Sequence, residues 1–112
     1  MNVNPPVSYD FSPYLEQSMG ELLARLALVQ STIAELQGAH AEAKSQELAD
    51  KAQGWNLSNE TSVRGKEKAS QFNAVTTTQT RIETEAMLNG LREEKEFLTF
   101  LIEIKTKVEV SV

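Results

Sequence analysis

The sequence predicts an all-α protein, a long antiparallel helical hairpin that dimerises into a four-helix bundle or coiled coil, with extended N- and C-terminal tails. Three observations carry this expectation. From Leu15 to Ala43 apolar residues recur at alternating steps of four and three, the spacing that gathers side chains on one stripe of a helix. Turn-forming residues at 54–59 then divide the chain into two arms of similar length. Folding the chain at residue 57 brings large apolar residues opposite one another: Leu22 near Leu91, Leu26 near Leu88, Ile33 near Ile82, and Leu15 near Leu98 and Leu101.

The elements follow in order. Residues 1–12 read as an extended tail, because Pro5-Pro6 blocks helix and Val7, Tyr9 and Phe11 alternate with polar neighbours. Ser12-Pro13 pairs an N-cap residue with proline at the first helical position, where its missing N–H costs nothing. Helix 1 is therefore expected over 13–53, with Leu15, Met19, Leu22, Leu26, Val29, Ile33, Leu36, His40 and Ala43 on its inner stripe, all but Ala43 being read, with Ile82, Leu88, Leu91, Leu98 and Leu101 of the second helix, as the self-association seam. Toward its end the inward residues are expected to be small (Ala39, Ala43, Ala49 and Ala52), a looser part of the pairing. Gly54 is read as a C′ residue in left-handed conformation, residues 54–59 as the turn, and Ser58 or Asn59 as the cap of the next helix.

Helix 2 is expected over 60–105, with Ile82, Leu88, Leu91, Leu98 and Leu101 on the inner stripe. Its Thr76–Thr80 stretch has weak helix propensity and depends on packing. In 106–112 Thr106, Val108, Val110 and Val112 alternate with Lys107, Glu109 and Ser111, the period of a half-buried strand. This segment reads as an extended tail, with a short edge strand as the alternative.

Composition narrows the function. At 112 residues, 40% hydrophobic and 6% aromatic, the chain is one domain with little apolar side chain from which to build a core alone. A single hairpin buries one seam and leaves Leu23, Leu28, Met87, Phe97 and Phe100 facing outward, so a homodimer or higher homo-oligomer is expected. The net charge of −5 disfavours nucleic acid and anionic membranes as partners. Residues 1–57 carry three basic and seven acidic side chains, and residues 58–112 carry eight and nine, interleaved rather than clustered. No apolar run reaches membrane length and the first residues lack a basic, then apolar, leader pattern. A cytoplasmic protein is the expectation.

The candidate chemical sites each resolve to a structural reading. With no cysteine, thiolate zinc, iron–sulfur and Cys-nucleophile chemistry are excluded together. The single histidine, His40, falls in the helix 1 register and is read as a packed seam residue; one histidine cannot supply a di-iron carboxylate bundle. Gly65-Lys66 lacks the glycine and hydroxyl residues of a phosphate loop. The helix 2 acids Glu83, Glu85, Glu93, Glu94, Glu96 and Glu103 could hold Mg²⁺ in an all-α nucleotide hydrolase, the alternative function. Their Glu93-Glu94-Lys95-Glu96 spacing fits a solvated, salt-bridged face better. No catalytic residue, cofactor or metal is expected.

The segment Arg81-Ile82-Glu83-Thr84-Glu85-Ala86-Met87-Leu88-Asn89-Gly90-Leu91-Arg92-Glu93-Glu94-Lys95-Glu96-Phe97-Leu98-Thr99-Phe100-Leu101-Ile102, with Tyr9-Asp10-Phe11-Ser12-Pro13-Tyr14-Leu15, resembles small uncharacterised helical-hairpin proteins of tailed bacteriophages. That resemblance implies a phage-encoded accessory protein, in the host cytoplasm or the virion, and no particular activity. The functional expectation is a non-enzymatic, self-associating protein that works by binding another protein. Tyr9, Phe11, Tyr14, Trp55, Phe97 and Phe100 are its candidate partner-binding side chains.

Overall fold

The computed structural model describes residues 11–111, with side chains through residue 109. After a 3-10 turn at Ser12–Glu16 come three α-helices: α1 (Met19–Leu57), α2 (Val63–Asn73) and α3 (Val75–Ser111). Every regular element among the described residues is helical. Tyr9 and the expected extended tail through Asp10 lie outside the described residues, as does Val112. The chain forms two compact units, one of Met1–Glu35 with Ala86–Val112 and one of Leu36–Glu85.

In the first unit the beginning of α1 packs against the end of α3. The expected α-helix from Pro13 does not form. Proline occupies the opening of the 3-10 turn, no side chain caps it, and the chain turns extended at Gln17 (ψ 150°). The α-helix starts instead at a capping box. Ser18 Oγ accepts from Glu21 N at 3.2 Å, and Glu21 Oε1 accepts from Ser18 N at 3.4 Å and from Ser18 Oγ at 3.0 Å. Two otherwise unpaired backbone donors are thereby satisfied. Leu22, Val29 and Ile33 of α1 and Leu88, Leu98 and Leu101 of α3 are buried, with Met19, Leu26 and Leu91 half-buried. Leu15, expected on the seam, is 55% exposed, because the 3-10 turn takes it out of the register of α1.

The register also differs from a fold at residue 57. Arg25 pairs with Glu94, where that fold would present Asn89; the Lys105 ammonium donates to the Gln17 carbonyl, where it would present Phe97. The helices run antiparallel, but α1 continues to Leu57 and pushes the reversal further along the chain. The expected extended segment 106–112 is helical through Ser111. Thr106 Oγ1 donates to the Ile102 carbonyl at 2.8 Å and Lys107 pairs with Glu103 at 3.0 Å, both i,i+4 contacts that only a helix makes and that override the alternating pattern.

In the second unit the end of α1, α2 and the beginning of α3 come together. Gly54 is not a left-handed C′ residue: no described glycine has positive φ, and Gly54 is buried inside α1. A Cβ there would stand 2.7 Å from the Ala69 carbonyl oxygen and 2.9 Å from Ser70 Cα, so the glycine is required by the close approach of α2. Two side chains tie the helices at that point, Ser70 Oγ donating to the Lys51 carbonyl at 2.8 Å and Asn73 Nδ2 to the Asp50 carbonyl at 2.7 Å.

The cap of α2 is Ser62, whose Oγ accepts from Gly65 N at 3.0 Å. Ser58 serves the connection instead, accepting from Glu60 N, and Asn59 caps nothing. The expected single helix over 60–105 is interrupted at Ala74 (φ −104°, ψ 8°), a fully buried residue between α2 and α3. The threonines beyond it are helical, with Thr77, Thr80 and Thr84 hydroxyls donating to carbonyls of the preceding turn.

Of the four alanines expected inward, only Ala43 is buried; Ala39, Ala49 and Ala52 are exposed. Glu47 takes the inward place, bound by Arg81. Starting α3 after Ala74 turns Arg81 toward α1 and leaves Ile82, expected on the seam, 53% exposed.

Candidate functional site

The most organised side-chain cluster lies in the first unit. Glu94 of α3 is buried, at 8% exposure. Burial alone would raise its carboxyl pKa, but Arg25 of α1 grips it with a two-pronged bond, Nε to Oε2 at 2.9 Å and Nη2 to Oε1 at 3.0 Å. The Tyr14 hydroxyl donates to Oε2 as well. These bonds and the Arg25 charge outweigh desolvation and hold the carboxyl below its ordinary range. Burial, and then the bond to Glu94, push the Tyr14 hydroxyl pKa up. Phe11 stacks on Phe97 with ring centroids 5.0 Å apart, and Tyr14 lies beside both rings. Three of the candidate partner-binding residues, Phe11, Tyr14 and Phe97, thus meet one another and pin the 3-10 turn to α3.

A second buried carboxylate lies in the other unit. Arg81 Nε stands 3.0 Å from each Glu47 oxygen and its Nη1 reaches Glu85 at 3.3 Å, with Lys51 Nζ 3.8 Å from Glu47. Hydrogen bonding by Thr78, then by Arg81, holds the Glu47 carboxyl below its ordinary range. The sequence holds a signal for both clusters. Glu47 continues the four-three spacing of Leu36, His40 and Ala43, and Arg81, Thr84, Leu88, Leu91, Glu94, Leu98, Leu101 and Lys105 lie three or four residues apart along α3. Charged residues occupy seam positions, where a search for apolar residues passes over them.

Stability should follow the protonation of these two carboxylates. Each folded-state pKa lies below the ordinary 4.5, so the contribution is fully present above that value and is lost as the pH falls through the folded values. Thermal midpoints are expected to be level from about pH 7 to about pH 5 and to drop below about pH 4.5. In Glu94→Gln that drop should be smaller.

The remaining candidates are dispersed. Trp55 is half-buried, with Lys66 Nζ 5.9 Å from its ring centroid, a cation–π contact. Phe100 is exposed and borders a shallow groove with Arg92, Lys95, Glu96, Thr99 and Glu103. Leu36 and His40 are half-buried. His40 Nε2 is itself buried without a hydrogen-bond partner, a group that costs free energy where it stands. His40→Leu is expected to raise stability by roughly 1 kcal/mol, read as a higher urea midpoint at unchanged slope; a fall would show that the imidazole is satisfied.

The α3 acids do not converge. Glu94, Glu85 and Glu103 pair with Arg25, Arg81 and Lys107, and Glu83 accepts from Gln79. Among the described residues no group of three His, Cys, Asp or Glu side chains is placed to hold a metal ion. No helix among them is long and apolar enough to cross a membrane.

These features define an all-helical protein whose most organised polar clusters lock helix to helix. Compared with protein-family models, with curated proteins and with solved structures, the chain matches none.

Proposed function

We propose that this chain is a non-enzymatic, self-associating helical protein that acts by binding protein, with a second copy completing a four-helix bundle. One observation carries the reading. Among the described residues thirteen large apolar side chains are exposed, whereas only eight apolar residues, two of them alanine, are buried. A pair of helices covers one seam between them, and the faces behind it stay in water until another helix packs there. The ion pairs support the same reading from the other side, since the buried carboxylates are each bound by arginine within the chain and serve its helix register. Of the described aromatic side chains put forward for partner binding, Phe100 is the one that stays exposed, beside charged residues. A phage structural or host-interacting accessory role, in the host cytoplasm or the virion, fits such a protein.

Mass action tests the reading. A folded state that includes a second copy has a thermal midpoint that rises with protein concentration. Over a hundredfold dilution range, about 5 µM to about 500 µM, the midpoint is expected to climb by several degrees. A midpoint independent of concentration would contradict self-association.

A further inference from the structure

Along α2 the residues Arg64, Lys68 and Phe72 stand four apart, so they share one face of the helix. That face does not hold the helix in place. Gly54 of α1 meets α2 at Ala69, Ser70 and Asn73, and Ser70 and Asn73 donate to α1 carbonyls, while Arg64, Lys68 and Phe72 are exposed. Phe72, at 84%, is the most exposed large apolar side chain among the described residues. The three line one open groove, with Glu60 and Ser62 at its other end.

The two cations are also unpaired. The chain carries 16 acidic side chains against 11 Lys and Arg, and Arg25, Lys51, Arg81 and Lys107 each pair with a carboxylate. Among the described residues Arg64 and Lys68 pair with none, although Glu60 borders the same groove. In a chain of net charge −5, α2 holds Arg64, Lys66 and Lys68 against the single acid Glu67.

We infer that this face of α2 docks an acidic helix of another protein. The inference rests on the protein-binding half of the proposed function and is independent of self-association. Charge complementarity identifies the occupant. Arg64 and Lys68 lie one turn apart, about 6 Å along the axis, which matches two carboxylates four residues apart on a facing helix. One turn further, a leucine or an aromatic side chain of the partner covers Phe72. At the other end Glu60, which lies against Gly65, repels a further acid, so the partner reads acid, acid, apolar at steps of four. A nucleic acid fits poorly, because its phosphates continue past the two cations onto Glu60 and few counterions are released. An anionic membrane requires a broader apolar face than one phenylalanine.

The full chain, immobilised, selects from a display library of random peptides of about twelve residues, long enough for three helical turns. One selected peptide is then synthesised and titrated by fluorescence anisotropy. Selected sequences should be enriched in Asp and Glu together with Leu or an aromatic residue, and affinity should fall at least about fivefold between about 0.05 M and about 0.5 M salt. Arg64→Glu combined with Lys68→Glu should weaken binding at least about tenfold, and Phe72→Ala at least about fivefold. All three side chains are exposed, so circular dichroism and the mass by light scattering should match those of the parent chain.

Peptides that are neutral or basic, or that bind the double variant as tightly as the parent, would overturn this face as an acidic-helix site while leaving protein binding standing. Tighter binding of a single-stranded oligonucleotide or of phosphatidylserine vesicles, lost in the double variant, would overturn the partner class. Selection of no peptide at all would overturn the inference together with the protein-binding half of the proposed function, and the mass of the parent chain tests self-association separately.

Discussion

Gly54→Ala is expected to destabilise the chain by about 2 to 3 kcal/mol and to detach α2 from α1. The added Cβ would stand 2.7 Å from the Ala69 carbonyl oxygen, 2.7 Å from Asn73 Cβ and 2.9 Å from Ser70 Cα. Two of these are backbone atoms, so relief requires α2 itself to move. That movement breaks the Ser70 and Asn73 bonds to the Lys51 and Asp50 carbonyls. Because α2 has no buried residue of its own, little else retains it. Urea unfolding followed by circular dichroism measures the loss, and faster amide exchange confined to residues 63–73 locates it. Gly38→Ala is the matched comparison. Nothing lies within 4 Å of a Cβ there, and better helix propensity should raise stability by roughly 0.5 to 1 kcal/mol. Equal effects at the two glycines would show that α2 does not press on Gly54.

The second large effect is expected at Arg25. Arg25→Ala leaves the Glu94 carboxylate, 8% exposed, with the Tyr14 hydroxyl as its remaining side-chain donor. Removing one member of a fully buried pair costs about 3 to 5 kcal/mol; the Arg25 side chain is 38% exposed, and solvent screening brings the expected loss to about 2 to 3 kcal/mol. Glu94→Gln should cost less, about 1 kcal/mol. The guanidinium it releases can turn to water, and the amide oxygen can still accept from Tyr14. The order of these two losses is the informative result. A larger loss in Glu94→Gln would mean that the arginine, not the carboxylate, is the group stranded by its partner's removal. In Arg25→Ala the acid-dependent fall in stability should also shrink, as in Glu94→Gln, since the Arg25 bonds and charge that hold the Glu94 carboxyl below its ordinary range are gone and folding no longer favours its ionised form.

The class of the fold was legible because the strongest sequence signal and the strongest physical force coincide in α1. Leu22, Val29 and Ile33 lie on the four-three stripe and are buried. The helix start was legible in principle too: Ser18-Met19-Gly20-Glu21 is a capping box, but Ser12-Pro13 competes with it and differs in outcome only through the extended Gln17. The role of Gly54 was not, since a helix-ending glycine and one crossed by another helix look alike along the chain. The α3 seam was hidden by its own chemistry. Arg81, Glu94 and Lys105 stand where apolar residues are sought, and each is made compatible with the seam by a partner more than thirty residues away. Beyond Leu101 the alternation of Ile and Val with polar residues satisfies the period of a strand, while the i,i+4 partners Ile102 with Thr106 and Glu103 with Lys107 satisfy a helix. Two periodicities overlap there, and local hydrogen bonding decides between them.

One copy leaves apolar helix faces exposed, and under the proposed function a second copy covers them. The most direct test is the mass of the purified chain in solution, measured by light scattering across a chromatographic peak at about 100 µM and again at about 1 µM. Self-association predicts at least twice 12.4 kDa at the higher concentration, with the mass falling on dilution if the copies exchange. A mass of 12.4 kDa at both concentrations, with the helical signal intact, would contradict it.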